Sequence, residues 1–306
     1  MTRQPRLYGL LDCNAFFVSC EKLFRPDLNG KPVVVLSNND GVVVSRSAEA
    51  KKLGIPMGEP YYKIKRLAES GQVIVFSSNY RLYGDMSNRV MKTLQQWTPH
   101  IEIYSIDEAF LDLTNYSGSI ELLMNEIVST VTKWTGIPVS LGVGATMTLA
   151  KVANDLAKKG NGTCALLDPL IREQALGEME IGEVWGIGRR LAPRLHRLGF
   201  RTAKDFAAAD PLWVRKHFSI VSGQQTFHLS PAQHRLNSPG KAYHRGVQNA
   251  VISSMFPLCK SITVLKSFIE GGIVIAVATS VFDLPIFPTS EQIMITPGNL
   301  VAFMFQ

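Results

Sequence analysis

The sequence predicts an α+β fold. Three observations carry that reading: apolar runs of strand length alternate with helical stretches, two strand-like runs almost touch in mid-chain, and helical periodicity fades after Phe218. A doubly wound sheet needs a crossover between successive strands. Residues 101–106 and 109–113 are separated only by Asp107 and Glu108, which instead calls for an antiparallel hairpin.

Taken in order, residues 7–11 read as a short apolar strand and 15–24 as a helix. A strand at 33–36 runs into Ser37-Asn-Asn-Asp-Gly41, a dense turn signal. Residues 47–53 read as a helix stopped by Gly54 and Pro56, and 73–76 as a strand. A long amphipathic helix is expected over 80–97, followed by the two central strands. Residues 120–134 are helical, 139–143 a strand and 149–159 a helix.

At 306 residues the chain can bury more than one core, and a net charge of +7 suits an anionic partner such as nucleic acid, or solubility alone. Cys13, Cys20, Cys164 and Cys259 form no CxxC pair, which argues against a zinc site or a disulfide framework and for a reducing, cytoplasmic setting. Asp12 cuts the first apolar run short of a signal-peptide core. In the most apolar stretch, Glu270 and Asp283 bracket twelve residues, against the roughly 20 needed to cross a bilayer. No membrane association is expected.

The strongest chemical signal is three carboxylates in two places. Asp12 ends the first strand, and Asp107 and Glu108 lie at the junction of the central pair. Adjacent acids among apolar residues repel one another and are costly to desolvate unless a cation joins them. Oxygen-only ligands suit a hard metal such as Mg²⁺, and two such ions suit nucleotidyl transfer. Residue types alone favour instead a polar hairpin tip with Asp12 as a helix N-cap. Because neighbours in a regular strand face opposite ways, a shared site requires a bend or bulge at Asp107–Glu108.

The segment Asp12-Cys-Asn-Ala-Phe-Phe-Val-Ser-Cys-Glu21 resembles the first catalytic motif of Y-family translesion DNA polymerases, and Tyr104-Ser-Ile-Asp-Glu-Ala-Phe110 their second. Stretches 37–41, 45–58, 76–83 and 141–162 follow in the expected order. The resemblance covers residues 6 to about 221, and the Ser-Asn-Asn-Asp-Gly and Phe-Ser-Ser-Asn-Tyr segments are most similar to the UmuC-like branch. It implies a ferredoxin-like polymerase palm (1–18 and 77–168), a small fingers domain (19–76) and a helix-hairpin-helix thumb (169–221). The activity it implies is error-prone, template-directed synthesis past lesions during an SOS-type response.

Site roles follow from the same resemblance. Asp12, Asp107 and Glu108, with the backbone carbonyl of Cys13, are implied to hold two Mg²⁺ ions, Asp107 and Glu108 being catalytic. Phe17 occupies the steric-gate position that excludes a ribose 2′-hydroxyl, with Phe16 beneath the sugar. Lys158, Ser45 and Lys51 are implied contacts of the nucleotide phosphates. Departures from the family pattern are Asn14 for a second acid, as in UmuC-like members, and Phe17 where that branch commonly has Tyr. Ala48 and Lys51 stand where other branches place Tyr and Arg, which weakens the expected grip on the triphosphate.

Val184-Trp-Gly-Ile-Gly188, followed by a basic helix over 189–198, resembles the thumb hairpin. Gly186, Gly188, Arg189 and Arg190 are the implied DNA contacts, and a further helix is expected over 202–218. Implied partners are primer–template DNA, deoxynucleotides, a UmuD-like protein and a RecA filament. Sliding-clamp binding is not carried over, because the clamp peptide of UmuC-like chains lies beyond the matched part.

Residues 222–306 hold five Lys/Arg and three Asp/Glu, whereas the 221 residues before them hold the other 49 charged residues. No resemblance extends there, and a little-finger domain is not expected. The stretch reads as out-of-frame or rearranged sequence after a truncation, with a divergent accessory segment as the alternative. The first reading predicts no compact domain of four strands and two helices. A non-catalytic DNA-binding remnant is the competing function. A nucleotidyl cyclase is disfavoured by the hairpin and by the Phe16–Phe17 pair.

Overall fold

β1 (Tyr8–Cys13) is apolar on both faces because it runs through the middle of a sheet covered on both sides. The structure, a computed structural model, describes residues 6–210, 213–214, 217, 274–278, 293–296 and 300–305. β1 pairs antiparallel with β6 (Glu108–Asp112) and with β7 (Val139–Gly144). β5 (Ile101–Ile103) and β8 (Thr163–Leu166) complete the order β5-β6-β1-β7-β8, only the β7–β8 pair being parallel. One face buries Leu11, Ala109, Leu111 and Leu141 with side chains of α4 (Tyr80–Leu94) and α5 (Ile120–Thr135). The other receives α6 (Met147–Lys159), whose Ala150 packs with Leu10 and Phe110.

α6 sits exceptionally close to β7. A Cβ placed on Gly142 would stand 2.0 Å from the Asn154 backbone nitrogen, so only glycine permits this approach. The buried Asn154 donates from Nδ2 to the carbonyls of Leu10 (3.0 Å) and Ser140 (2.9 Å), which ties α6 to both central strands.

A second, three-stranded sheet has the order β3-β2-β4, built from β2 (Val33–Leu36), β3 (Val43–Arg46) and β4 (Ile74–Phe76). With α2 (Ala48–Lys52) and α3 (Tyr61–Glu69) it encloses its own core of Val34, Leu36, Val43, Ala50, Ile55, Ile64 and Val73. α1 (Phe16–Leu23) runs unbroken through residue 18, where the sequence reading divides palm from fingers, and contacts β2 and β3 as well as α4. A third cluster joins the outer side of α6 to α7 (Pro169–Glu178), the 3₁₀ turn Ile181–Glu183, α8 (Ala192–Arg197) and α9 (Ala203–Ala207).

The α+β architecture is as expected, and several elements differ in detail. β3, α3, β8 and α7 were not anticipated. In α3, Lys63, Lys65 and Arg66 dilute the apolar pattern, and Ile64 is its only buried residue. α4 ends at Leu94 rather than 97, and β5 stops at Ile103 rather than 106. α8 starts at residue 192, not 189, with Pro193 in its first turn where a missing N–H costs nothing. α9 closes at Ala207; in the helix expected to 218, residues 208–210 are not helical, residues 213, 214 and 217 are, and the others lie outside the described residues.

The chain divides into two compact units, residues 1–240 and 241–306. In the second, β9 (Val274–Ala278), β10 (Ile293–Thr296) and β11 (Leu300–Phe305) form an antiparallel sheet of order β10-β11-β9. The remaining expectations for 222–306, including the missing little finger, lie outside the described residues. Among the described residues no helix is long and apolar enough to cross a membrane.

Candidate functional site

The end of β1 and the start of β6 bring the predicted acids together. Asp12 and Glu108 are direct cross-strand partners, which sets their Cα atoms about 5 Å apart. Asp107 lies one residue outside the ladder. After β5 the chain turns through 104–107, and the N–H groups of Tyr104 and Ser105 both donate to the Glu108 carbonyl, at 3.0 and 3.1 Å. That turn lets two sequential acids escape the opposite-face rule of a strand. Ser105 Oγ fastens it by donating to Asp107 Oδ1 (2.6 Å) and accepting from the Glu108 N–H (3.0 Å). The Cys13 N–H donates to the Asp107 carbonyl (2.9 Å), holding the turn against β1. Asp12 is not a helix cap: α1 follows Ala15, at φ +46°, with no side-chain cap.

Two lysines of α6 face these acids. Lys158 Nζ is 2.8 Å from Asp12 Oδ2, and Lys151 Nζ is 3.1 Å from Glu108 Oε2. Burial pushes the Asp12 carboxyl above its ordinary range. Lys158 pulls it back, and the charges of Glu108 and Asp107 add to the rise. Asp107 is likewise raised, first by burial, against its Ser105 hydrogen bond. Asp155, four residues after Lys151, is raised by burial and opposed by Lys158, Lys151 and Lys159.

Three crowded acids held by two lysine heads form an all-oxygen donor set with charge left over, chemistry that fits a hard divalent cation. Among the described residues no trio of acidic, His or Cys side chains is assembled to hold an ion. Asn14, where many relatives carry an acid, accepts from Ser140 Oγ at 3.0 Å and so spends its side chain on the β1–β7 seam.

Phe16 and Phe17 part company. Phe16 is buried in the core beside Tyr83, with ring centroids 6.5 Å apart. Phe17 is half-buried and lies flat on Tyr83 (4.3 Å, 10° between planes), with Tyr80 edge-on at 6.2 Å. Tyr83 donates from its hydroxyl to Glu21 Oε1 (2.8 Å), which fixes the ring that supports Phe17. Ser45 is buried, its Oγ accepting from the Val18 N–H at 3.3 Å, while Lys51 is exposed on α2. The two segments most like the UmuC branch meet: Ser77 Oγ donates to Asp40 Oδ2 at 3.0 Å, and Ser78 Oγ to the Leu36 carbonyl.

In the third cluster, Val184 and Ile187 are buried and anchor the loop between them. Gly186 takes φ +89°, a left-handed conformation that favours glycine, and Gly188 has open space around it. Arg189 and Arg190 are exposed in the turn before α8, and no ion pair engages them among the described residues. His196, within the stretch expected to form a basic helix, lies 2.6 Å from Glu180.

Sequence reasoning missed Lys151, Tyr104 and Trp185. Lys151 Nζ lies 4.7 Å from the centroid of the Tyr104 ring and 5.1 Å from that of Trp185, whose Nε1 donates to the Tyr104 hydroxyl at 3.2 Å. The available signal was spacing: Lys151, Asp155 and Lys158 recur at i, i+4 and i+7 and so share one face of α6.

Residues 11–155 match the model of the impB/mucB/samB family. The chain is 48% identical over 221 residues to protein UmuC and 44% identical over 222 residues to protein ImpB, both of Salmonella typhimurium. Each match covers 70% of this chain and 52% of the relative, so the chain spans about half the length of these curated relatives. An insertion ternary complex of Dbh DNA polymerase has a similar structure, with a TM-score of 0.63 at 31% identity, covering 76% of this chain and 69% of that one.

Proposed function

From the premise that the chain belongs to the Y-family of translesion DNA polymerases, in its UmuC-like branch, we propose that it extends a DNA primer along a damaged template by divalent-metal-dependent nucleotidyl transfer. One observation carries the reading: Asp12 and Glu108 pair across two strands, with Asp107 in the adjoining turn and lysines at both ends of the acidic patch. Asp12, Asp107 and Glu108, with the Cys13 carbonyl, would hold two Mg²⁺ ions. When bound, such ions favour ionisation of a primer 3′-hydroxyl and offset the charge of departing pyrophosphate.

The chain's own residues do the rest. Phe17, braced flat on Tyr83, closes the space a ribose 2′-hydroxyl would need. Lys158 is within reach of the triphosphate as well as of Asp12, and Lys51 and Ser45 belong to the part that covers it. The exposed backbone at Gly186 and Gly188, with Arg189 and Arg190 beside it, receives duplex phosphates without regard to sequence. This assigns palm to 1–18 and 77–168, fingers to 19–76 and thumb to 169–221. By the same family reading, the setting is an SOS-type response in the cytoplasm, with a UmuD-like protein and a RecA filament as partners.

The test is primer extension opposite an abasic site, with Mg²⁺ and with chelator, beside the Asp107→Ala/Glu108→Ala variant. Incorporation by the parent that requires Mg²⁺ and disappears in the variant supports the proposal. DNA binding with no incorporation at any enzyme concentration would establish the alternative, a DNA-binding remnant of such a polymerase.

A further inference from the structure

Lys151 is a cation with three claims on it. Its head pairs with Glu108 Oε2 at 3.1 Å and lies over two aromatic rings, Tyr104 in the catalytic turn and Trp185 in the glycine loop. Both side chains of the ion pair are mostly shielded, at 20% and 15% exposure, so the attraction is weakly screened by solvent. The two rings meet edge-on at 5.4 Å and share the Trp185–Tyr104 hydrogen bond. Trp185 is flanked by buried Val184 and by Gly186, so movement of the loop moves the indole.

Beside this cluster is a cavity of about 160 Å³ between α6 and the loop, lined by Lys151, Asp155, Glu183 and Trp185 among others. It offers the Lys151 head a second resting place, with two carboxylates to receive it. Glu108 Oε2 cannot serve the ammonium and a divalent ion equally well.

We propose that Lys151 is a positioning residue that exchanges between Glu108 and the Asp155–Glu183 cavity, and that Trp185 reports and biases the exchange, coupling the thumb loop to the acidic site. This rests on the reading of Glu108 as a ligand for a divalent ion. With Lys151 on Glu108, the acid is neutralised and kept in place while no cation is bound. With Lys151 in the cavity, Glu108 is free and the contact of the ammonium with Trp185 changes. Coupling is reciprocal: duplex DNA that shifts the loop alters the Mg²⁺ requirement, and Mg²⁺ alters loop seating.

The experiment titrates the full chain with Mg²⁺ at constant ionic strength. The Trp185 emission is taken as the difference between the parent and Trp185→Phe, because three other tryptophans contribute. Calorimetry on the same samples records Mg²⁺ binding independently of activity. The expected result is a saturable change in Trp185 emission that tracks the heat, is abolished in Lys151→Met and is retained in Lys151→Arg. In Lys151→Met the Mg²⁺ midpoint falls about tenfold, the order expected for loss of one charged competitor. Adding primer–template shifts the parent midpoint and leaves that of Lys151→Met unmoved. Mg²⁺ heat with unchanged Trp185 emission overturns the coupling while leaving the metal reading intact. Absence of any Mg²⁺ heat overturns both.

Discussion

Asp107 shows most directly how one residue type serves two ends. Its carboxyl is raised by burial, with the repulsion of Glu108 adding to the cost, so the unliganded fold is less stable for its presence. Asp107→Asn keeps an acceptor for the Ser105 hydroxyl and removes the charge. The variant is expected to be more stable by about 1 kcal/mol, a rise of roughly 2–4 °C in melting temperature, while metal-dependent incorporation is lost. Thermal unfolding without metal and primer extension on one preparation check both halves. Phe17 offers the complementary case. Its stacking on Tyr83 at 4.3 Å makes it part of the core margin as well as the proposed gate. Phe17→Ala is expected to cost about 1–2 kcal/mol in urea unfolding and to reduce discrimination against ribonucleotides at least about tenfold. Unchanged discrimination in single-nucleotide incorporation would remove Phe17 from the gate.

At the scale of elements, α6 organises the site more than its sequence advertised. Its Asn154 side chain holds the Leu10 and Ser140 carbonyls, and its lysines reach both acidic strand ends. Asn154→Ala leaves two buried carbonyls short of a donor and is expected to destabilise the fold by about 2–4 kcal/mol, measured by denaturant unfolding. The strands and helices around the first and second acidic motifs were legible because short apolar runs and 3.6-residue periodicity are local signals. α3 and α7 were not, since each buries only one or two side chains and leaves apolar ones such as Tyr62, Leu170 and Ile171 exposed, which blurs the period. The start of α8 depended on Pro193 and on the Gly188 carbonyl, which accepts from the Leu191 and Ala192 N–H groups.

At the scale of the whole molecule, charge and partition matter. Arg189 and Arg190 stand clear of carboxylates among the described residues, so they are available to phosphates. Replacing either by Ala is expected to reduce the salt slope of duplex binding by about one and to weaken all sequences alike. A slope unchanged in the double variant, measured by fluorescence anisotropy between low and moderate salt, would place the DNA elsewhere. The sequence alone pointed to most of the elements in their order and to the candidate site residues: the lone Asp12, the Asp107–Glu108 pair, the Phe16–Phe17 pair and the Gly-Ile-Gly loop. These are written in local patterning and motif order. Only the tertiary structure decided that Phe16 is core while Phe17 lies at its margin, and that Asn14 fastens a seam. It also showed that Lys151 stands between Glu108 and Trp185. The physical reason is range: a strand or helix reports its own period, whereas which side chain meets which across 34 to 126 residues follows from sheet register and from the close seat of α6 on Gly142.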